Sequence, residues 1–172
     1  LKMNTDTWLY VKDFNINEEG KIFAPGNLRA SVDNSNYMNL INYWIENKYT
    51  LRYSGGLVPD IYHILCKGKG VLTNITSEKS KAKLRLLYEC APIALIIEAA
   101  NGSSCGYYDK MNTNNSSHGY YDKIEEDSIL NICISDLDIR IGVCYGSTEE
   151  INKGPMTQDI KPDFGPSDHE PV

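Results

Sequence analysis

The side chain of Glu89 places a carboxylate where the sequence changes from a strand pattern to a helix pattern. Residues 83–92 (KLRLLYECAP) alternate as a strand does, and the apolar run 93–100 that follows is typical of a helix. Ligands of open α/β sheets bind beyond the carboxyl ends of the strands, and Mg²⁺ prefers carboxylate oxygen. Glu89 is therefore a candidate metal ligand. The alternative is that it caps the following helix or forms an ion pair with Arg85.

Two cations, Lys83 and Arg85, fall on the same face as Glu89 if this segment is a strand, because strand side chains repeat every two residues. A cation, an acid and a second cation on one face are suited to positioning a phosphorylated ligand. The same three charges are also compatible with an exposed, solvated edge.

A second junction between a strand pattern and a helix pattern carries Arg52 and Tyr53, followed by Ser54, Gly55 and Gly56. Glycine lets the backbone approach a ligand closely, and the free N–H groups at a helix start attract anions. Arginine binds phosphate through two N–H groups, and tyrosine supplies a hydroxyl. These residues indicate either an anion-binding loop or a plain tight turn.

Several other classes of site lack their signatures in this sequence. There is no GxSxG, Walker or HExxH motif. His63 and His118 have no partner at the spacing of metal ligands, so we interpret them as helix packing and as a loop residue. The five cysteines never occur as CxxC, which favours free thiols in a reducing compartment over a disulfide framework or a zinc site.

Composition limits the kinds of partner. The chain has 172 residues, a formal net charge of −6 and a sequence pI near 5.1, which argues against general nucleic-acid binding. A small anionic substrate is still compatible with this composition, because a local cluster of Arg and Lys can be positive although the net charge of the chain is negative. No apolar run approaches the roughly 20 residues of a membrane span.

Hydrophobic periodicity predicts an α/β fold, in which helices cover a sheet. One helix pattern places Tyr37, Leu40, Ile41, Trp44 and Ile45 on a single face. The helix around 93–100 is apolar on nearly every side, which predicts that it is buried. The predicted strands are 9–13, 21–23, 48–53, 70–75, 84–89, 128–134 and 140–146, and the predicted helices are 37–48, 57–66 and 91–102.

The chain is expected to form one domain over residues 1–151. Within it, residues 106–127 are rich in Asn, Ser and Tyr and repeat GYYDK, which indicates a polar surface insertion. Residues 152–172 contain several prolines and are predicted to be a disordered tail. The first residue is Leu rather than Met, so we expect a fragment of a longer protein.

Four segments of the sequence together resemble the carboxy-terminal half of the class 1 fructose-1,6-bisphosphatase family, and its sedoheptulose-1,7-bisphosphatase branch in particular. They are GKIFAPGNLRA, KYTLRYSGGLVPDIYHIL, KGVLTN and KAKLRLLYECAPIALIIEAANG, and the likeness runs from about Trp8 to Ile151. The resemblance implies a layered α/β/α domain with a mixed sheet, the carboxy-terminal half of the sugar-phosphatase fold. It also implies a phosphatase that removes the 1-phosphate of a sugar bisphosphate by water attack, with Mg²⁺ or another divalent cation.

The resemblance assigns roles to particular residues. It makes Glu89 a catalytic magnesium ligand and Lys83 a contact of the sugar. It places Tyr53 on the distal phosphate and Arg52 in the active site of a neighbouring subunit. Asn27 lies at, or one residue from, a second distal-phosphate ligand of the family.

The sequence departs from the family pattern in two respects. Position 73 is threonine, as in the sedoheptulose branch, where fructose bisphosphatases carry a tyrosine that packs by the sugar phosphate. The family's main metal motif, DPLDGSS, is absent from these residues. The chain is therefore expected to be the substrate-binding half, with the amino-terminal half of the same enzyme as its partner.

The resemblance leaves two functional alternatives. In the first, the intact protein is a homo-oligomer, a dimer or tetramer, that lies in the cytoplasm or a plastid and is not secreted. It hydrolyses the sedoheptulose or the fructose bisphosphate. In the second, the chain is a truncated paralogue that binds sugar phosphates without catalysis.

Overall fold

The fold is built on one mixed sheet covered by helices on both faces. The computed structural model describes residues 10–107, 128–134 and 136–153. Within them the sheet has five strands in the order β2-β1-β3-β5-β4. The strands are β1 (Ile22–Gly26), β2 (Thr50–Leu51), β3 (Val71–Asn74), β4 (Ser103–Tyr107) and β5 (Gly142–Gly146), and the α-helices are α1 (Ser35–Glu46), α2 (Leu57–Lys67), α3 (Ala91–Ala99) and α4 (Thr148–Asn152).

The three strands β2, β1 and β3 run parallel, and β5 reverses the direction. Phe23 of β1 pairs with Leu51 on one side and with Val71 on the other. Strand β5 is antiparallel to both β3 and β4. The carboxyl ends of β1, β2 and β3 therefore lie at one edge of the sheet, which we call the carboxyl edge.

Helices on both faces confirm the predicted α/β/α layering. On one face, α2 and α3 pack against the sheet through Ile64 and Ile97. On the other face, α1 and α4 bury Trp44 and Ile151. The ring of Trp44 stacks against Phe23 of β1 with centroids 4.9 Å apart.

Helix α1 follows its predicted periodicity closely. Its N-cap residue Asn34 accepts a hydrogen bond from the backbone N–H of Tyr37 at 2.9 Å. Tyr37, Leu40 and Trp44 are buried, whereas Ile45 is 63% exposed and does not share their environment.

Residues 84–89 do not form the predicted strand. Only Arg85 makes a bridge, to Arg140, and Leu86–Cys90 then form a single π-helical turn that leads directly into α3. Leu86 and Cys90 are the buried residues of the turn. A strand would place Leu86, Tyr88 and Cys90 on one face, but Tyr88 is 58% exposed between its two buried neighbours, so the burial follows a helical spacing. The prediction that Lys83, Arg85 and Glu89 share a strand face is therefore wrong.

Other predicted elements also differ from the structure. Residues 129–131 form a 3₁₀ turn capped by Ser128 rather than a strand, and residues 10–13 have no regular structure. Helix α3 is buried only on its inner side, since Leu95 is 60% and Ile96 is 48% exposed. Helix α4 continues to Asn152, the first residue of the predicted tail.

Strand β4 was not predicted, because its Ser, Cys and Gly residues carry little strand signal. Gly106 and buried Tyr107 belong to this strand, although the sequence placed both of them in the insertion. Residues 108–127 of the predicted insertion and residues 154–172 of the predicted tail lie outside the described residues.

Two negative findings apply to the described residues alone. No described helix has both the length and the apolar character that a membrane crossing demands. No disulfide bond joins any of the described cysteines.

We predict that residues 108–127 can be replaced by a short Gly/Ser linker without loss of the fold. The chain re-enters the described structure close to β4, where Ser104 and Ser128 both donate hydrogen bonds to Glu98. Ser104 lies about 10 Å along the strand from Tyr107, so a few residues close the gap. Thermal melting should stay cooperative, with a midpoint within about 5 °C of the unmodified chain. Loss of a cooperative transition would contradict this prediction, and removing 103–107 as well is the control that should unfold the domain.

Candidate active site

The segments that follow β1, β2 and β3 meet at the carboxyl edge. Asn27 comes directly after β1, and Arg52 and Tyr53 come directly after β2. The backbone N–H of Arg52 donates to the carbonyl of Phe23 at 2.9 Å, which extends the pairing of the two strands beyond Leu51. Parallel strand order thus brings together residues that lie far apart in the sequence.

The side chain of Asn27 is fully engaged within the protein. Its Nδ2 donates to the carbonyls of Ile75 and Ser80 at 2.7 and 2.9 Å, and its Oδ1 accepts from Ser80 Oγ at 2.8 Å. Its backbone adopts the left-handed region with φ 49°, which Asn tolerates better than most residues. Both amide donors are used, so Asn27 shapes the loop after β3 and has no N–H left over for a phosphate.

The loop after β3 is braced from the neighbouring segments before it reaches Lys83. Asp33 Oδ2 accepts from the backbone N–H of Lys79 at 2.8 Å, and Thr76 Oγ1 accepts from the N–H of Ala82 at 3.2 Å. The Lys79 bond holds the pKa of Asp33 below its ordinary value, so this contribution to stability is lost as the pH falls through that lowered pKa. Lys83 emerges next, with its carbonyl accepting from Arg140 Nη1 at 3.2 Å.

The loop after β2 exposes Arg52 and Tyr53 while satisfying its own backbone. The N–H of Ser54 donates to Asp60 Oδ1 at 2.8 Å, and the N–H of Gly56 donates to Ser54 Oγ at 3.2 Å. These two N–H groups are engaged within the loop and are not free for an anion. The side chain of Arg52 is exposed and its guanidinium donates to the neighbouring carbonyl of Leu51, and the side chain of Tyr53 is half exposed.

Glu89 lies in the π-helical turn with one carboxylate oxygen committed to the backbone. Oε2 accepts from the N–H of Arg85 at 2.8 Å, so Glu89 closes the start of its own turn, and no side chain caps the following helix α3. The side chain of Arg85 instead pairs with Asp138 at 3.1 Å, an exposed ion pair of about 0–1 kcal/mol. In the part of the chain that the structure describes, no hydrogen bond or ion pair involves Oε1 of Glu89. Oε2 thus orients the side chain of Glu89, and Oε1 stays available to a ligand.

A free carboxylate oxygen on a half-buried turn fits one ligand of a Mg²⁺ cluster. Single π-helical turns within helices are also frequent at functional sites. Among the described residues, however, no group of three or more His, Cys, Asp or Glu side chains is arranged to hold a metal ion. These residues can therefore contribute a ligand, but they do not enclose a metal by themselves.

The structure places two further polar side chains next to this site, and sequence reasoning missed both. The hydroxyl of Tyr37 donates to the carbonyl of Gly26 at 2.8 Å, and the hydroxyl of Tyr145 donates to the carbonyl of Cys90 at 3.0 Å. Both tyrosines are completely buried. A buried tyrosine needs a hydrogen-bond partner for its hydroxyl. A tyrosine at a predicted core position is therefore the sequence signal that could have indicated these two contacts.

The thiol of Cys90 follows Glu89 but is not suited to act as a nucleophile. Burial raises its pKa to about 12, and the charge of Glu89 adds to the effect. The thiol therefore stays protonated at neutral pH.

Thr73 is likewise fully buried, and its hydroxyl lies 3.1 Å from that of Tyr37.

A protein-family model described as "Fructose-1-6-bisphosphatase, C-terminal domain" matches residues 16–158. The chain belongs to this family. Sedoheptulose-1,7-bisphosphatase from Chlamydomonas reinhardtii chloroplasts is 46% identical over 154 residues, which are 89% of this chain and 35% of the relative. The spinach chloroplast enzyme is 45% identical over 151 residues, which are 88% of this chain and 34% of the relative.

Solved structures agree with this family assignment. A Toxoplasma gondii protein, described as a candidate sedoheptulose-1,7-bisphosphatase, has a TM-score of 0.68 and 40% identity, covering 81% of this chain and 39% of that one. Leishmania major fructose-1,6-bisphosphatase in its apo form has a TM-score of 0.64 and 30% identity, covering 81% of this chain and 40% of that one. The chain thus spans about a third of the length of the curated relatives it matches.

We predict that Asn27→Ala lowers the free energy of unfolding by about 3 kcal/mol, because it removes three hydrogen bonds and places alanine in the left-handed region. Urea denaturation of the chain measures this change. Asn47→Ala is the matched control, since the exposed Asn47 amide makes one bond, to the carbonyl of Tyr43, and should cost less than about 1 kcal/mol. Equal losses in the two variants would show that the Asn27 network does not stabilise the loop.

Proposed function

We propose that the intact protein is a metal-dependent sugar bisphosphatase that removes the 1-phosphate, and that this chain is its substrate-binding half. The observation that best supports the proposal is the exposure of Arg52 and Tyr53 directly after β2, with Lys83 exposed at the end of the braced loop that follows β3. These side chains offer two cations and a phenolic hydroxyl to a phosphorylated sugar. Membership of the sugar bisphosphatase family supports the same chemistry.

In this proposal the side chains at the carboxyl edge hold the distal end of the sugar. Tyr53 donates a hydrogen bond to the distal phosphate and Lys83 contacts the sugar, whereas Arg52 binds and neutralises the phosphate of a substrate held by a neighbouring subunit. Asn27 acts at the distal phosphate through the loop it shapes, or directly after exchanging its bonds to Ile75 and Ser80. Fixing one end of the substrate in this way positions the other end for phosphoryl transfer.

Glu89 is the proposed metal ligand of this half. Its Oε2 is held by the N–H of Arg85, so the carboxylate is oriented before a metal arrives. Bound Mg²⁺ would polarise the phosphoryl oxygens, activate water and stabilise the leaving oxygen. The remaining ligands would come from the amino-terminal half of the same enzyme.

The preferred substrate is proposed to be sedoheptulose-1,7-bisphosphate, with fructose-1,6-bisphosphate as the second. Threonine at position 73 and the identity of 45–46% to chloroplast sedoheptulose-1,7-bisphosphatases support this order. The same relatives support a plastid location. We further propose that the intact protein is a homo-oligomer in which Arg52 reaches a neighbouring active site.

The exposed apolar side of α3 supports the idea that a further segment packs on this chain. Leu95 and Ile96 are about half exposed, although they adjoin the buried face of the same helix. The second candidate function is that of a truncated paralogue that binds sugar phosphates without catalysis. The two candidates differ in whether an amino-terminal half with metal-binding acids precedes this chain in the intact protein.

We expect Glu89→Gln in the intact protein to reduce kcat by several orders of magnitude at a near-native melting temperature. Glutamine can still accept the hydrogen bond from Arg85 but carries no charge for a metal ion. Raised Mg²⁺ should restore part of the rate if weakened metal binding is the cause. Normal turnover in the purified, folded variant would exclude the metal-ligand role.

Tyr53→Phe in the intact protein is the matched comparison for that variant. Losing one phosphate hydrogen bond should mainly raise KM, by about tenfold, with kcat little changed. Steady-state assays with both sugar bisphosphates measure the split between the two parameters.

The isolated 172-residue chain should release no phosphate from either bisphosphate at a useful rate, because a single carboxylate does not hold Mg²⁺ in water. A phosphate-release assay with Mg²⁺, run beside the intact protein, tests this expectation. Sustained turnover by the chain alone would contradict its assignment as a half-enzyme.

A further inference from the structure

Two buried tyrosine hydroxyls each bond a carbonyl that directly adjoins a candidate site residue. Tyr37 of α1 donates to the carbonyl of Gly26, the residue before Asn27. Tyr145 of β5 donates to the carbonyl of Cys90, the residue after Glu89. Both tyrosines have no exposed surface, so neither hydroxyl can contact a ligand itself.

The Tyr37 hydroxyl links the ends of two strands. Its single proton goes to the carbonyl of Gly26, so at the 3.1 Å contact the hydroxyl of Thr73 must be the donor and Tyr37 Oη the acceptor. Thr73 lies in β3, beside the end of β1. The two hydroxyls therefore fix the backbone at Gly26. The next residue, Asn27, holds the loop that leads to Lys83.

The Tyr145 hydroxyl tethers the π-helical turn to the sheet. Within the turn, the N–H groups of Glu89 and Cys90 both bond the carbonyl of Arg85, at 3.1 and 3.0 Å. The bond from Tyr145 holds the opposite end of the turn against β5. The backbone of Glu89 is thereby fixed from both sides.

We propose that Tyr37 and Tyr145 are positioning residues, the first for the sugar-phosphate part of the site and the second for the metal-ligating turn. The inference rests on the proposed function. Phenylalanine would fill the same volume, and burying a hydroxyl is unfavourable unless it is bonded. What each hydroxyl adds is a hydrogen bond that holds one backbone carbonyl in a fixed orientation. Each of these carbonyls belongs to the residue next to a proposed site residue.

Tyr107 supplies a matched control from the same core. It is buried, and its hydroxyl accepts from the thiol of Cys105 at 3.0 Å rather than bonding a carbonyl beside a candidate site residue. Replacing each of the three tyrosines by phenylalanine removes one buried hydroxyl and keeps the ring.

The experiment compares Tyr37→Phe, Tyr145→Phe and Tyr107→Phe in the intact protein by three measurements. Hydrogen–deuterium exchange reports on the backbone of 24–30 and 85–91, calorimetry on the affinity for Mg²⁺, and steady-state kinetics on KM for the sugar bisphosphate. Tyr145→Phe should speed exchange in 85–91 and weaken Mg²⁺ binding by about tenfold, with KM unchanged. Tyr37→Phe should speed exchange in 24–30 and raise KM by about three- to tenfold, with Mg²⁺ affinity unchanged. Tyr107→Phe should change none of these quantities.

Two results would overturn the proposal. The first is that Tyr37→Phe and Tyr145→Phe behave as Tyr107→Phe does in local exchange and in binding. The second is that both variants shift Mg²⁺ affinity and KM together, which would indicate general loosening of the core. If Tyr37→Phe does not fold, Thr73→Val removes only the donor to its hydroxyl and should raise KM in the same direction by a smaller factor.

The exchange measurement separates this inference from the proposed function. An unmodified intact protein without phosphatase activity would refute the function. Local exchange would still decide whether each hydroxyl fixes its segment, and exchange rates equal to those of Tyr107→Phe would refute the positioning role independently of activity.

Discussion

The parallel pairing of β1 with both β2 and β3 is the constraint on which the candidate site depends. It brings the segments after three strands to one edge, and it requires close backbone approach where β1 ends. A Cβ on Gly26 would lie 2.5 Å from the carbonyl oxygen of Thr73, so this position accepts only glycine without a shift of the backbone. The next residue, Asn27, then turns into the left-handed region and ties down the loop that follows β3.

The site combines fixed backbone with exposed side chains. The loops are held by hydrogen bonds that Asn27 donates and that Asp33 and Asp60 accept, and a π-helical turn holds Glu89. In contrast, Arg52 and Lys83 project from these loops into solvent. Exposed cations repel one another, and an ion pair with a nearby acid adds little stability in water. A bound phosphate, in contrast, can accept hydrogen bonds from several cations at once. This division between a rigid frame and free charges suits a surface that binds an anionic sugar in an otherwise acidic chain.

The sequence predicted the α/β class, the helices α1 and α2, and the central strands, because these follow simple periodicities. It failed at 84–89, because apolar residues at 86 and 90 are compatible with both a strand and a helix. The exposure of Tyr88 between them shows that the helical spacing is the one adopted. It also failed at β4, whose small residues carry no strand signal. Residue patterns at the strand-to-helix junctions indicated Arg52, Tyr53 and Glu89, and family resemblance added Asn27 and the individual roles. Neither revealed how these residues are held. The bonds of Asn27 to Ile75 and Ser80 join residues about 50 positions apart, and only the folded chain reveals such contacts.

The most direct test of the account is an NMR titration of the ¹⁵N-labelled chain with sedoheptulose 7-phosphate, the product that would retain the distal phosphate. Backbone amides at the carboxyl edge should then show saturable shifts, centred on Tyr53 and Lys83. Amides at the opposite edge, such as Gly20 beside buried Glu150, should not move. No saturable shift, or equal shifts at both edges, would contradict the claim that this half of the protein binds the sugar phosphate.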